Sequence, residues 1–228
     1  MADRVLVFFP LSCFAAMAIR VTARTTLLFI GDSITDCGRA NDPDQLGDGY
    51  VRLIRDWLLS RDPANAPRII NVGTSGNKIP DLQKRWDGDV IANAPDVVSI
   101  KIGINDVWHG LNPDWQPGCP HEQYVAGYRD VLARLKRALP GCALVLCEPS
   151  VIDPPQDARG NELLLAYVRS VHELARDFSA DCVVPLHTAF IKARRARTDL
   201  AWTSDGVHPT PLGHMLIART WLDSAGLL

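Results

Sequence analysis

Four short segments of this chain carry the groups that acyl transfer to a serine needs. Gly31-Asp32-Ser33 offers a hydroxyl, and Gly73-Thr74-Ser75-Gly76-Asn77 a glycine turn. Gly103-Ile104-Asn105-Asp106 offers a side-chain amide, and Asp205-Gly206-Val207-His208 pairs a carboxylate with an imidazole. A serine hydroxyl must lose its proton to a base, the base must be oriented, and the oxyanion needs preorganised donors. Each piece alone has a plainer reading. Gly-Asp-Ser is a common turn or helix cap, Gly-x-Asn-Asp a common turn, and Asp-x-x-His a capping pair. The combination, in order and each after a suitable element, is far more specific than any part.

Those elements are legible from hydropathy. Short apolar β-type runs occur at Thr26 to Ile30, Arg68 to Val72, Val97 to Ile102, Ala143 to Cys147 and Cys182 to Leu186. Most are continuous, the pattern of strands covered on both faces. Helical patterns lie between them. Tyr50 to Leu59 places Val51, Ile54, Trp57 and Leu58 on one stripe. Glu122 to Leu139, Glu162 to Phe178 and Leu212 to Ala225 read the same way, and Thr210-Pro211 is a good start for the last. Alternating strands and helices predict a three-layer α/β/α sandwich with a mostly parallel five-stranded, flavodoxin-like sheet. Ligands in such folds bind beyond the carboxyl ends of the strands. Ser33, Gly76 and Asn105 each follow a strand candidate there. Pro209 disfavours helical geometry at His208 and leaves it in a loop. Two long loops, Asp36 to Gly49 and His109 to His121, are further places to look for function.

The bulk numbers fit this picture. A chain of 228 residues, 47% hydrophobic and 22% charged, suits one globular domain with a substantial core. A net charge of −2 gives no reason to expect nucleic acid or an anionic membrane as partner. Cys13, Cys37, Cys119, Cys142, Cys147 and Cys182 form no CxxC pair and read as reduced and structural, which favours a cytoplasmic chain. Residues 1–23 admit two readings. The apolar run Val5 to Ile19 with Val21-Thr22-Ala23 resembles a signal peptide, which would mean export. Alternatively, translation starts at Met17. The hydrolase domain is then expected over residues 24–228.

The four chemical segments resemble the conserved blocks of the SGNH, or GDSL, hydrolases. Phe29 to Arg39 looks like block one, Gly76 in Thr74-Ser75-Gly76-Asn77 matches block two, Gly103 to Asp106 block three, and Asp205 to His208 block five. That resemblance implies Ser33 as nucleophile, His208 as base and Asp205 as its orienter. It also implies an oxyanion hole formed by the backbone N–H groups of Ser33 and Gly76 and the side chain of Asn105. Asp32 to Ala40, Leu46 to Val51, Ile102 to Trp108 and Leu200 to Trp202 narrow the likeness to the bacterial serine acetylxylan esterases of this superfamily. This likeness implies a small acylated carbohydrate, such as an acetylated xylo-oligosaccharide, as substrate, no metal or organic cofactor, no membrane partner, and a homo-oligomer. Thr203-Ser204 lengthens the segment after Trp202 relative to that pattern and bears on substrate preference.

Other residues are weighed against that site. Trp86, Trp108, Trp115 and Trp202 could stack on sugar rings. Core packing is the reading preferred for Trp86, while Trp108 and Trp202 are expected to bind substrate. His109, Cys119 and His121 match no zinc-ligand spacing, so no metal is expected. His172 fits the exposed side of a helix, and His187 and His214 read as structural. Asp32 and Asp106 are expected to bond loop backbone. A lysophospholipase or thioesterase with the same triad is the nearest rival, and would need an apolar acyl groove. A non-catalytic flavodoxin-like binding module is a remote one. No Gly-x-Ser-x-Gly elbow, P-loop or dinucleotide fingerprint is present.

Overall fold

The computed structural model describes residues 19–112, 114–152 and 158–228. Five strands, β1 (Thr26–Gly31), β2 (Arg68–Asn71), β3 (Val97–Lys101), β4 (Ala143–Cys147) and β5 (Cys182–Val184), form one sheet in the order β2-β1-β3-β4-β5. Every pairing is parallel. The helices among the described residues are α1 (Ser33–Asp36), α2 (Tyr50–Arg61), α3 (Ile79–Asp89), α4 (Ile104–Trp108), α5 (His121–Ala138), α6 (Ala158–Asp177), α7 (Leu186–Ala196) and α8 (Pro211–Ser224). α2 packs on α8 and α8 on α7, while α3 packs on α5 and α5 on α6. The sheet lies between these two layers, as the sequence pattern predicts.

Burial on both faces explains the continuous apolar strands. All of β3 is buried, including Ser99 and Lys101, and Ser99 Oγ accepts the indole N–H of Trp221 from α8 at 2.9 Å. Pro185 ends β5 sooner than its hydropathy suggests, because it cannot donate to the ladder, and α7 begins at Leu186. The sequence pattern pointed to no helix at α3 or α7. In α3 the buried Ile79, Leu82 and Trp86 form a narrow stripe interrupted by Pro80 and followed by Gly88, too short to stand out locally. Packing extends to Ile19, which is buried and whose N–H bonds to the Ala225 carbonyl, upstream of the expected boundary at 24. Residues 1–18, with the proposed leader core, Cys13 and the alternative start at Met17, lie outside the described residues, as does Pro113.

The strand order places the topological switch between β1 and β3. Chains leaving those two strands diverge to opposite layers and open a crevice at their carboxyl ends. Ser33 leaves β1 there, and Asn105 leaves β3. Gly31 must be a glycine at this edge. A Cβ would lie 2.3 Å from the Lys101 carbonyl oxygen and 2.4 Å from Thr35 Oγ1.

Candidate active site

Ser33 is the first residue of α1, whose cap is Asp32: Oδ1 of Asp32 accepts the Ile34 N–H at 3.0 Å. Asp32 therefore holds the turn, as expected of it. As the first helical residue, Ser33 keeps a backbone N–H with no intrahelical partner. Its Oγ stands 2.9 Å from Nε2 of His208. Nδ1 of His208 stands 2.6 Å from Oδ2 of Asp205. A carboxylate can only accept, so Nδ1 carries the ring proton and Nε2 is left as acceptor for the serine hydroxyl. These three side chains, separated by up to 175 residues of chain, form one relay.

A short loop orients the relay. Thr203 bridges Pro209, the Ser204 N–H donates to the His208 carbonyl at 2.8 Å, and the Thr210 N–H to the Trp202 carbonyl at 3.1 Å. Inside this loop Oδ1 of Asp205 accepts the N–H groups of His208 at 2.8 Å and Val207 at 3.0 Å. Burial pushes the Asp205 carboxyl up. The His208 backbone N–H, the His208 ring and the Val207 N–H outweigh it and hold the group below its ordinary range. Asp205 is thus kept ionised beside the ring that must become positive.

A second histidine does not compete with His208. His214 of α8 is buried, and its Nδ1 accepts the Tyr50 N–H at 3.2 Å. Burial, with Lys101 and His208 nearby, pushes it down to about 4, so it stays neutral. Lys101 is itself buried below the crevice. Burial lowers it against the opposing pull of Asp32 and Cys147.

Of the expected oxyanion donors, Asn105 lies against the turn that carries Gly76. Gly76 has φ +78°, a conformation that favours glycine, and a Cβ there would meet nothing within 4 Å. Its peptide therefore borders open space. Asn105 in α4 is buried, and its Nδ2 donates one proton to the Asn77 carbonyl at 3.1 Å, which leaves the second. Asp106 behind it accepts the Ile79 N–H at 3.1 Å, the backbone contact expected of it. Burial raises Asp106 to about 7, against the Ile79 N–H and the Cys119 thiol.

Aromatic rings wall the crevice beside His208. The Trp108 ring lies 5.8 Å from the His208 ring and 4.7 Å from Trp115, edge to face in both cases. His109 packs against Trp108 and Trp115. Trp115 is 46% exposed although two rings pack on it. Trp202 is partly buried against the core, and its indole N–H donates to the Arg197 carbonyl at 3.2 Å. Trp86 is in the core.

The remaining sequence candidates lie apart from this cluster. His121 bonds Ser170, and His187 is buried. His172 is only partly exposed and binds the buried Glu148 at 2.7 Å, so it is more engaged than its place on the helix suggests. No group of three or more His, Cys, Asp or Glu side chains among the described residues is placed to hold a metal. One side chain without a role in the sequence pattern reaches the site's loops. Arg85 of α3 donates to the Gly31 and Val72 carbonyls. The stripe of Ile79, Leu82 and Trp86 was the only local hint of its helix.

Chemically, a hydroxyl with an adjacent acceptor imidazole, an oriented carboxylate and free N–H donors can form and hydrolyse an acyl ester without a metal. Comparisons with known proteins agree with that capability. Residues 29–216 match the model of the GDSL-like lipase/acylhydrolase family. An acetylxylan esterase of Geobacillus stearothermophilus is 34% identical over 215 residues, covering 91% of this chain and 97% of that protein. A solved serine-to-alanine catalytic mutant of that esterase superposes with a TM-score of 0.83 at 34% identity, covering 92% and 98% of the two chains. Catalytic mutants of the same esterase with an aspartate or a histidine replaced by alanine are also similar in structure. A proposed GDSL-like lipase from Parabacteroides merdae matches with a TM-score of 0.83 at 34% identity over 92% of this chain and all of the other. The chain belongs to the GDSL-like lipase/acylhydrolase family and is a carboxylic ester hydrolase.

Proposed function

We propose that this esterase removes acetyl groups from small acetylated carbohydrates of the xylo-oligosaccharide class, with Ser33 as nucleophile. The observation that carries the catalytic part is the 2.9 Å contact of Ser33 Oγ with His208 Nε2, in line with the 2.6 Å contact of His208 with Asp205. Oγ attacks the acetyl carbonyl as its proton passes to Nε2. The oxyanion is held by the N–H groups of Ser33 and Gly76 and by Nδ2 of Asn105. The bond from the carbonyl carbon to the sugar oxygen then breaks, and that oxygen takes the proton from Nε2. Water attacks the acetyl-serine, again giving its proton to Nε2, and acetate leaves as Ser33 recovers it.

Two features support a sugar ester. The esterase of G. stearothermophilus acts on acetylxylan by its name, and the likeness to it covers 91% of this chain. The exposed Trp115 and the adjacent Trp108 offer a sugar ring an apolar platform one ring away from His208. Trp202, anchored on Arg197, is proposed as a more distant wall of the same pocket. Self-association, implied by the resemblance, completes the proposal, and light scattering tests it. A mass of a single 25.1 kDa chain would overturn it.

A series of p-nitrophenyl esters from acetate to palmitate, run beside acetylated xylo-oligosaccharides, tests the substrate. A pocket closed by indoles penalises each added methylene, whereas an open apolar groove gains up to about 0.8 kcal/mol from it. The expected result is a steep fall in kcat/KM beyond butyrate and release of acetate from the sugars. A rise from acetate to octanoate would move the assignment to a lysophospholipase or thioesterase.

A further inference from the structure

The three oxyanion donors come from three different loops, so something must fix those loops relative to one another. The guanidinium of Arg85 touches two of them directly and the third through one intermediate. From α3 its Nη2 donates to the Gly31 carbonyl at 3.1 Å, two residues before Ser33. One Nη1 proton goes to the Val72 carbonyl at 2.6 Å, just beyond β2. Nε donates to Oδ1 of Asn77 at 2.8 Å, the residue after Gly76. The Asn77 carbonyl in turn accepts Nδ2 of Asn105 at 3.1 Å. Asp89, one turn along α3, closes the arrangement on Nη1 at 2.5 Å and keeps the fork pointed at the loops.

We propose that Arg85 is a positioning residue for the oxyanion hole, a planar clamp that sets the spacing of the Ser33, Gly76 and Asn105 donors. It touches neither substrate nor oxyanion. The chemistry favours arginine here. A rigid fork can serve acceptors on two loops at fixed angles, while a lysine ammonium is a single mobile point that cannot span them. The Thr74 N–H also donates to the Gly31 carbonyl at 3.1 Å, so the first two loops are already joined by backbone. Arg85 adds the Gly76-Asn77 end, which carries one donor itself and, through the Asn77 carbonyl, holds the Asn105 amide that supplies another.

The consequence is a specific kinetic pattern. A catalytic group tolerates about 0.5 Å of error, and a 1 Å misplacement costs about 10² in rate. Oxyanion contacts strengthen in the transition state, so the loss should fall on kcat and leave KM nearly alone. The inference rests on the proposed roles of Ser33 and Asn105, so Ser33→Ala and Asn105→Ala are measured beside it. Normal rates in those two would overturn the catalytic reading itself and not only the clamp.

Arg85→Ala, assayed on p-nitrophenyl acetate, should lower kcat about 10- to 100-fold with KM changed less than about threefold. The same substitution in the Asn105→Ala background should cost much less, because one of the donors it positions is already gone. Should Arg85→Ala not fold, Arg85→Lys carries the test, and it should still lose at least about tenfold in kcat. A folded Arg85 variant with kcat within twofold of the parent overturns the proposal. So does an equal loss in both backgrounds, which would make Arg85 a stabiliser of the fold with no particular link to the oxyanion hole.

Discussion

Replacing Asp205 by asparagine exchanges one oxygen for an amide nitrogen at constant size, and the surrounding loop dictates which way the amide must turn. Oδ1 of Asp205 accepts two backbone N–H groups, from Val207 and His208. An amide turned the other way would set its NH2 against both, so the carbonyl of the new asparagine must keep that side. Its NH2 then faces Nδ1 of His208, where Oδ2 now stands at 2.6 Å. An amide nitrogen can only donate, so Nδ1 must give up its proton and the neutral ring must carry it on Nε2. That proton points at Ser33 Oγ, 2.9 Å away, and the base is lost. In an unrelated serine hydrolase the same exchange leaves the geometry intact and costs about 10⁴ in kcat, or about 5.5 kcal/mol of transition-state stabilisation. We expect a loss of that order here. Initial rates at saturating p-nitrophenyl acetate give kcat, and circular dichroism confirms that the fold is kept. A folded Asp205→Asn protein that loses less than about tenfold would refute the argument, because the one amide orientation that satisfies both backbone N–H groups puts the ring proton on Nε2.

The same geometry sets further expectations. Ser33→Ala should lower kcat by about 10⁶ in a folded protein, and retention of a tenth of the turnover would remove Ser33 as nucleophile. Asn105→Ala should lower kcat by about 10²–10³ with little change in KM; an effect confined to KM would make it a substrate ligand. Asp106→Asn should stabilise the protein in alkali. Burial raises the folded-state value of Asp106 to about 7, above its unfolded value near 4, so the folded form prefers the protonated acid. The resulting loss of stability builds up as pH rises from about 4 to about 7, levels off above that at roughly 4 kcal/mol at most, and vanishes below the unfolded value. Thermal melts of parent and variant should therefore diverge progressively between about pH 4 and about pH 7 and stay apart above that, and parallel curves would contradict the assigned burial penalty. Trp115→Ala should lower the ratio of kcat/KM on acetylated xylobiose to that on p-nitrophenyl acetate by about 5- to 30-fold, from 1–2 kcal/mol of apolar burial on the indole. A constant ratio would mean that the sugar does not touch Trp115.

Local pattern was enough to specify the frame. The strands are read correctly because both faces of the middle of this parallel sheet are buried, so the central strands β1, β3 and β4 are largely apolar runs. The chain order of strands and helices then made the sheet parallel, and parallel sheets put their ligands at the carboxyl ends. Ser33, Gly76 and Asn105 could be singled out because each follows a strand there, the Asp205–His208 pair because it completes that set just before the last helix, and the resemblance to the SGNH hydrolases implied their roles. Pro185 and the short stripe of α3 blurred single elements, since hydropathy in a short window cannot register a lost ladder donor or a helix only three turns long.

What the tertiary structure decided is which groups meet. Ser33 and His208 are 175 residues apart, and Arg85 lies 54 residues from the Gly31 carbonyl it binds. The packing of Trp108 on His208, the neutral state of His214 and the raised value of Asp106 likewise depend on packing from distant elements. Hydropathy periodicity is a property of neighbours along the chain. A hydrogen bond or a desolvated charge is a property of neighbours in space, and only the packing of the helices on the sheet brings those together.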